Sequence, residues 1–424
     1  MDEPILVFMD LERRPTLVGR LWARVRNGRE SASFQYDEQW LGHPERFSLE
    51  PALTLGSGPY HTAGDRALFG AIGDSSPDRW GRVLMRRAER HLARLEDRTP
   101  RTLLERDFLL RVHGEARQGA LRFALHPNGP FLDSRHDARI PLQVDLPRLV
   151  AAADRFVSDA DSEEDLALLL APGSSLGGAR PKASVREPDG ALLIAKFPRV
   201  GDDHDVVAWE GVALALASEA GIDVPEWWVQ PVTRSGSTES VLMTRRFDRA
   251  ARGRVPYLSA MSMLSATDHE TRSYLEIAEA IRRYGSAPNR DLTRLWTRLV
   301  FNVLVSNTDD HLRNHGFIYD RGTGWRLSPA FDLNPVPTDV SPRFLATTID
   351  LDDATASIEL ALETAEFYGL SPSRAREVVA EVGRVVSRWK DVAAARGIVA
   401  REIDRMASAF EHDDLRMAVR LPHD

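Results

Sequence analysis

Helical periodicity fills this chain from about residue 258 to its end, over 272–284, 288–306, 355–367, 372–395 and 398–420, with one interruption. The interruption is a polar loop, Asn307-Thr308-Asp309-Asp310-His311-Leu312-Arg313-Asn314. Two β-prone runs follow it, Gly316-Phe317-Ile318-Tyr319 and Trp325-Arg326-Leu327, with turn residues Asp320 to Gly324 between them. That pattern predicts a hairpin. Upstream of 258 the chain alternates short strands and helices. Ile5 to Met9, Leu17 to Trp22 and Ala32 to Tyr36 read as strands, and Ser76-Pro77 opens a helix that runs to about Leu95, with Ser76 as its cap. The order predicts an α+β chain in three parts. These are a β-containing N-terminal subdomain over 1–140, a small lobe over 141–248, and an all-helical C-terminal lobe over 249–424. The junction between the first two falls in the Pro-, Asp- and Arg-rich stretch from Pro127 to Pro147.

Composition excludes several chemistries. The 424 residues contain no cysteine, which removes disulfides, thiolate metal sites and a thiol nucleophile. Met1-Asp2-Glu3-Pro4 is acidic where a signal peptide would be basic, and no apolar run approaches the length of a membrane span; a cytoplasmic protein is expected. A net charge of −8 gives no general attraction to nucleic acid. Of the 55 basic residues only Lys182, Lys196 and Lys390 are lysine. In so biased a chain, lysine is expected where a compact ammonium serves and a guanidinium does not, as against a phosphate oxygen in a tight pocket.

The motifs converge on phosphate chemistry. Asp309 and Asn314 have the D-x-x-x-x-N spacing of the loop that performs phosphoryl transfer in protein kinases, where the carboxylate takes a proton from a hydroxyl and the amide oxygen helps hold Mg²⁺. The same residues also suit an ordinary loop or helix cap. Asp332 leaves the predicted hairpin where a second metal ligand would stand, in Asp332-Leu333-Asn334 rather than the kinase tripeptide DFG; a turn carboxylate before Pro335 is the other reading. Gly177-Gly178, in Ser174 to Lys182, allows close backbone approach to a phosphate, although a Walker motif is absent and a plain turn also fits. Lys196 ends the apolar run Ala191 to Phe197. A buried ammonium there calls for a partner, and Glu210, in a helix read over Ala208 to Ala220, is the obvious one; a lysine snorkelling from a strand edge is the other reading. Arg82, Arg86 and Arg90 form a stripe on the helix after Ser76, read as a solvated face, with a phosphate-backbone contact as the other reading.

Taken together, Ser175 to Lys182, Ile194-Ala195-Lys196-Phe197-Pro198, Arg246-Phe247-Asp248-Arg249, Asn307 to Asn314 and Leu327-Ser328-Pro329-Ala330-Phe331-Asp332 resemble, in order and over nearly the whole chain, the HipA-family kinases of HipBA toxin–antitoxin modules. The resemblance implies a two-lobed protein-kinase-like fold with an extra N-terminal subdomain. It also implies an ATP- and Mg²⁺-dependent serine/threonine kinase, linked to growth inhibition and persistence. Asp309 then matches the base, Asn314 and Asp332 the Mg²⁺ ligands, and Lys196 the phosphate contact. The nucleotide-binding set is Gly177, Gly178, Ala179, Arg180, Pro181, Lys182, Lys196, Glu210, Arg245, Arg246, Phe247, His311, Asn314, Phe331 and Asp332, with Arg245 to Phe247 at the hinge. Ser175 matches a serine that some members autophosphorylate. Arg245 stands where an acidic residue is usual, and of the adjacent Asp309 and Asp310 the spacing to Asn314 favours Asp309 as the base. The implied partners are a small DNA-binding antitoxin of the HipB type, operator DNA mainly through it, and a protein target such as an aminoacyl-tRNA synthetase. Two other readings use the same residues: a small-molecule or lipid kinase, and a non-catalytic co-repressor that binds nucleotide or antitoxin.

Overall fold

The computed structural model describes residues 3–132, 140–173, 178, 180–199, 201–234, 237–251, 253–268 and 270–421. Contacts divide the chain into two compact units, residues 1–202 with 230–258, and residues 203–229 with 259–424.

In the first unit, strands β1 (Ile5–Leu11), β2 (Arg14–Arg26), β3 (Arg29–Tyr36), β4 (Pro59–His61) and β5 (Leu121–Ala124) form one antiparallel sheet in the order β4-β3-β2-β1-β5. Gly19 in β2 lies where a Cβ would collide with the Gln35 carbonyl and the Phe34 ring, so only glycine permits this strand approach. The helix Arg79–Leu95 begins later than the sequence suggests. Asp78, not Ser76, caps it, its carboxylate accepting the Gly81 N–H at 3.1 Å. Nor is its arginine stripe wholly solvated, because Arg82 forks onto Glu105 and Arg82 and Arg86 lie 4.7 and 5.2 Å from the Phe108 ring centre. The strands β6 (Lys182–Arg186), β7 (Leu192–Lys196), β8 (Trp227–Arg234) and β9 (Ser237–Arg245) make a second sheet, ordered β6-β7-β9-β8.

The second unit is built around the helix Pro288–Leu304, whose Leu295, Trp296, Leu299, Val300, Phe301 and Val303 are fully buried. Helices Tyr274–Tyr284, Ile358–Thr364, Pro372–Val386 and Asp413–Arg420 pack on it. The helix Val206–Glu219 joins this unit through Trp209, whose ring stands 6.1 Å from those of both Trp389 and Phe410. The hairpin is present, Gly316–Asp320 pairing with Gly324–Leu327. The helical patterns at 372–395 and 398–420 are broken where periodicity suggested continuity. The first splits into Pro372–Val386 and Trp389–Ala395, the second into Ala400–Arg405, Ala407–Phe410 and Asp413–Arg420. At the last of these breaks His412 caps the new helix, accepting the Leu415 N–H at 3.3 Å, while the apolar stripe continues across the break.

Candidate active site

The helix Pro288–Leu304 ends in a turn that the sequence builds from Ser306, whose φ of 51° is left-handed. Its hydroxyl donates to the Ala409 carbonyl at 2.7 Å, and the Asn307 N–H closes on the Asn302 carbonyl at 2.9 Å. The loop then folds onto itself. A short 3₁₀ turn over Leu312–Asn314 brings the Asn314 side-chain amide to the Asp309 carbonyl at 2.9 Å, so the D-x-x-x-x-N spacing is that of a locally closed loop.

Adjacent carboxylates take opposite roles here. Asp309 is exposed, whereas Asp310 is 1% exposed and its carboxylate accepts the Tyr274 hydroxyl at 2.6 Å and the Ala346 and Thr347 N–H groups at 2.9 and 3.3 Å. Burial outweighs these three donors and lifts the Asp310 carboxyl to about 7. Asp310 is therefore a fastening between the loop and residues 346–347. Asp309 has its carboxyl raised by partial burial, against the pull of His311, with a further upward push from the Asp332 charge. Asp332 stands within electrostatic reach of it. The hairpin delivers Asp332 in a left-handed conformation, φ 58°, uncommon for a residue other than glycine. The segment after it is tied back to the loop's start, Asn334 N–H to Asn307 Oδ1 at 3.2 Å and Val336 N–H to the Ser306 carbonyl at 3.1 Å.

Asn314 and Asp332 offer hard oxygen donors, the type Mg²⁺ takes. Among the described residues no cluster of three or more His, Asp or Glu side chains could cage a metal ion. The donor set suits a cation that completes its shell with water and phosphate oxygens. His311 lies in the same loop, with Nδ1 buried and without a hydrogen-bond partner among the described residues, and Phe331 is half-buried beside Asp332.

In the first unit, Lys182 and Lys196 are directly opposite in the β6–β7 register. Cross-strand partners share a face of the sheet, and like charges so placed repel. Two of the chain's three lysines thus form a cationic pair on one sheet face, while Lys390 is half-exposed against Glu411 at 2.5 Å. Lys182 is 3% exposed with its Nζ 3.8 Å from the Asp78 carboxylate, which burial raises to about 6 even with that ammonium beside it. Gly178 has φ 93°, Arg180 pairs with Asp202 at 2.6 Å, and the Pro181 carbonyl accepts the Phe197 N–H at 3.0 Å. Ser175, Gly177 and Ala179 lie outside the described residues. Glu210, in the second unit, is 4% exposed.

In the hinge segment, the Arg246 side chain is committed to the fold: it grips Asp248 at 2.8 and 2.6 Å and donates to the carbonyls of Ala116 and Arg117. Asp248 also accepts from Arg249 at 2.7 Å and from the Gly119 N–H at 2.8 Å, which fastens residues 116–119 to the end of β9. Arg245 pairs with Glu187 at 2.7 Å, and the half-buried Phe247 ring stands 6.2 Å from Tyr257. The sequence reading missed Tyr274, Asn302 and Asn334, and gave Asn307 no task. Of these, only Asn334 carried a local signal, two residues after Asp332.

Residues 174–389 match the family described as HipA-like C-terminal domain. The chain belongs to the HipA family. Among its relatives, Putative kinase Y4mE of Sinorhizobium fredii is 24% identical over 340 residues, covering 73% of this chain and 74% of the relative. A Haemophilus influenzae protein described as Putative kinase is 25% identical over 151 residues, 32% of this chain and 44% of that one. In structure, the chain is similar to one in the complex of Shewanella oneidensis MR-1 HipA, HipB and operator DNA, with a TM-score of 0.66, 17% identity, and coverage of 97% of this chain and 96% of the other. The α+β, kinase-like HipA fold is thereby established. No helix among the described residues is long and apolar enough to cross a membrane.

Proposed function

We propose that this HipA-family protein is an ATP- and Mg²⁺-dependent serine/threonine protein kinase, the toxin of a toxin–antitoxin pair, with residues 1–140, 141–248 and 249–424 as its N-terminal subdomain, small lobe and helical lobe. One observation carries the reading. Of two adjacent aspartates, Asp310 is locked into the fold while Asp309 is left exposed, clasped by Asn314 and within the field of Asp332. That is the arrangement a base needs, and burial with a like charge nearby raises its proton affinity.

In this mechanism Asp309 orients an acceptor hydroxyl and takes its proton as the hydroxyl oxygen attacks the γ-phosphorus and the bond to the β-phosphate oxygen breaks, releasing ADP. Asn314 and Asp332 would hold Mg²⁺, which neutralises charge on the phosphate oxygens. Lys196 and Lys182 hold the phosphates, with Glu210 in the same nucleotide-binding set, and the like-charge repulsion of the lysine pair is relieved when an anion lies over it. Gly177, Gly178, Ala179, Arg180 and Pro181 are the phosphate-side segment; Arg245, Arg246 and Phe247 at the hinge, with His311 and Phe331, complete the nucleotide-binding set. Ser175 is the autophosphorylation site. The partner is a HipB-like DNA-binding antitoxin, through which the complex reaches operator DNA. The target is a protein of the translation apparatus, of the aminoacyl-tRNA synthetase kind, in the cytoplasm.

The test is the intact mass of the purified protein after incubation with Mg²⁺ and ATP, beside Asp309→Asn, followed by peptide mapping. A phosphate on Ser175 in the wild type alone is the expected result. Transfer that survives Asp309→Asn makes the base assignment wrong. A wild type that neither gains phosphate nor binds nucleotide by calorimetry sinks the kinase reading.

A further inference from the structure

A buried polar chain runs through the second unit from Asp332 to Asp310. The Asn334 side-chain amide donates to Asp332 Oδ1 at 3.1 Å, and the Asn334 backbone N–H donates to Asn307 Oδ1 at 3.2 Å. Asn307 Nδ2 donates to Asn302 Oδ1 at 3.1 Å, Asn302 Nδ2 donates to the Tyr274 hydroxyl oxygen at 2.8 Å, and that hydroxyl donates to Asp310 Oδ2 at 2.6 Å. Asn307 and Asn302 are 2% exposed and Tyr274 is fully buried. From the Asn334 N–H to the carboxylate of Asp310, every group donates in the same direction. When Asp310 is ionised its carboxylate can only accept from Tyr274, and the orientation of each amide is then set in turn. Links arranged this way polarise one another, and in a buried setting a single broken link strands a polar group. The chain is thus a stiff tie between the start of the catalytic loop and the segment Asp332 to Asn334 that follows the hairpin.

From this geometry we infer that Asn334 and Asn307 are positioning residues for the metal-ligating carboxylate of Asp332. Asn334 fixes the carboxylate's orientation by holding one oxygen, and Asn307 fixes Asn334 by accepting its backbone N–H. The tie is needed because Asp332 is held at φ 58°, a conformation that persists in such a residue only where the surroundings impose it. Partners that orient a metal ligand in this manner set the affinity of the ion. The inference rests on the kinase reading, since it takes Asp332 to be a cation ligand.

The test uses the full chain carrying Asp309→Asn, so that turnover plays no part. Mn²⁺ is titrated in the presence of adenylyl imidodiphosphate and free Mn²⁺ is followed by electron paramagnetic resonance, with and without Asn334→Ala. The expected result is a rise in the Mn²⁺ dissociation constant of about 10- to 100-fold, with the thermal midpoint and metal-free nucleotide affinity close to those of the parent. A dissociation constant within about twofold of the parent overturns the inference. Where Asn334→Ala loses its fold, Asn334→Ser is read by the same two outcomes. A parent protein that binds adenylyl imidodiphosphate but no Mn²⁺ with it overturns this inference alone. One that binds neither brings down the kinase reading, and this inference with it.

Discussion

The Tyr274 hydroxyl donates to Asp310 Oδ2 across 2.6 Å, and both side chains are buried. This bond separates the environments of two neighbours in the chain, since the Asp310 carboxylate it occupies is buried while Asp309 is exposed.

The first prediction compares the two aspartates. Asp310→Ala strands the Tyr274 hydroxyl and the Ala346 and Thr347 N–H groups, and each unsatisfied buried group costs about 1–3 kcal/mol. A loss of roughly 3 kcal/mol or more is expected in urea unfolding. Asp309→Ala, at an exposed position, should stay within about 0.5 kcal/mol of the wild type while abolishing transfer. Equal destabilisation by the two changes would contradict the division of roles.

A second prediction concerns pH. Burial raises Asp310 and Glu50 to about 7. Each is protonated in the fold over a range where the unfolded chain has released its proton. Their contribution is therefore complete below the unfolded value near 4 and is lost as pH rises through about 7. Buried His412, lowered to about 4, acts in the opposite sense only below about 6.5. From pH 6.5 to 8 the carboxyls act without that opposition, and stability should fall, on the order of 1 kcal/mol for each. Thermal midpoints across this range measure the slope, which Asp310→Asn and Glu50→Gln should each reduce.

The lysines give a third. Lys196→Arg puts a planar fork where a point charge fits and should lower transfer by about tenfold or more. Lys390→Arg, against Glu411, should leave it unchanged. Thermal stabilisation by ATP, measured on both variants, should be lost only in the first.

Asp248 carries the fourth. It lies 4% exposed between Arg246 and Arg249, and removing one partner of a buried ion pair costs about 3–5 kcal/mol. Asp248→Ala should therefore lower the unfolding midpoint sharply. An effect below about 1 kcal/mol would mean that the backbone carbonyls alone compensate both guanidinium groups.

By itself the sequence determined what depends on neighbours in the chain. Periodicity placed the core helix Pro288–Leu304, turn residues placed the hairpin, and the D-x-x-x-x-N spacing closes through a single 3₁₀ turn and one local hydrogen bond. Adjacent aspartates look alike in sequence, and only tertiary structure decided that Asp310 is buried, because its donors come from residues 274 and 346–347. The same holds for the Arg246 side chain, drawn to Asp248 and to carbonyls about 130 residues earlier in the chain. The breaks in the C-terminal helical patterns were hidden because the apolar stripe runs on across them. Lys182 and Lys196 face each other only because β6 and β7 pair in one register; a shift of one residue would send Lys196 to the other face. Burial and register are properties of distant segments brought together, and no local pattern encodes them.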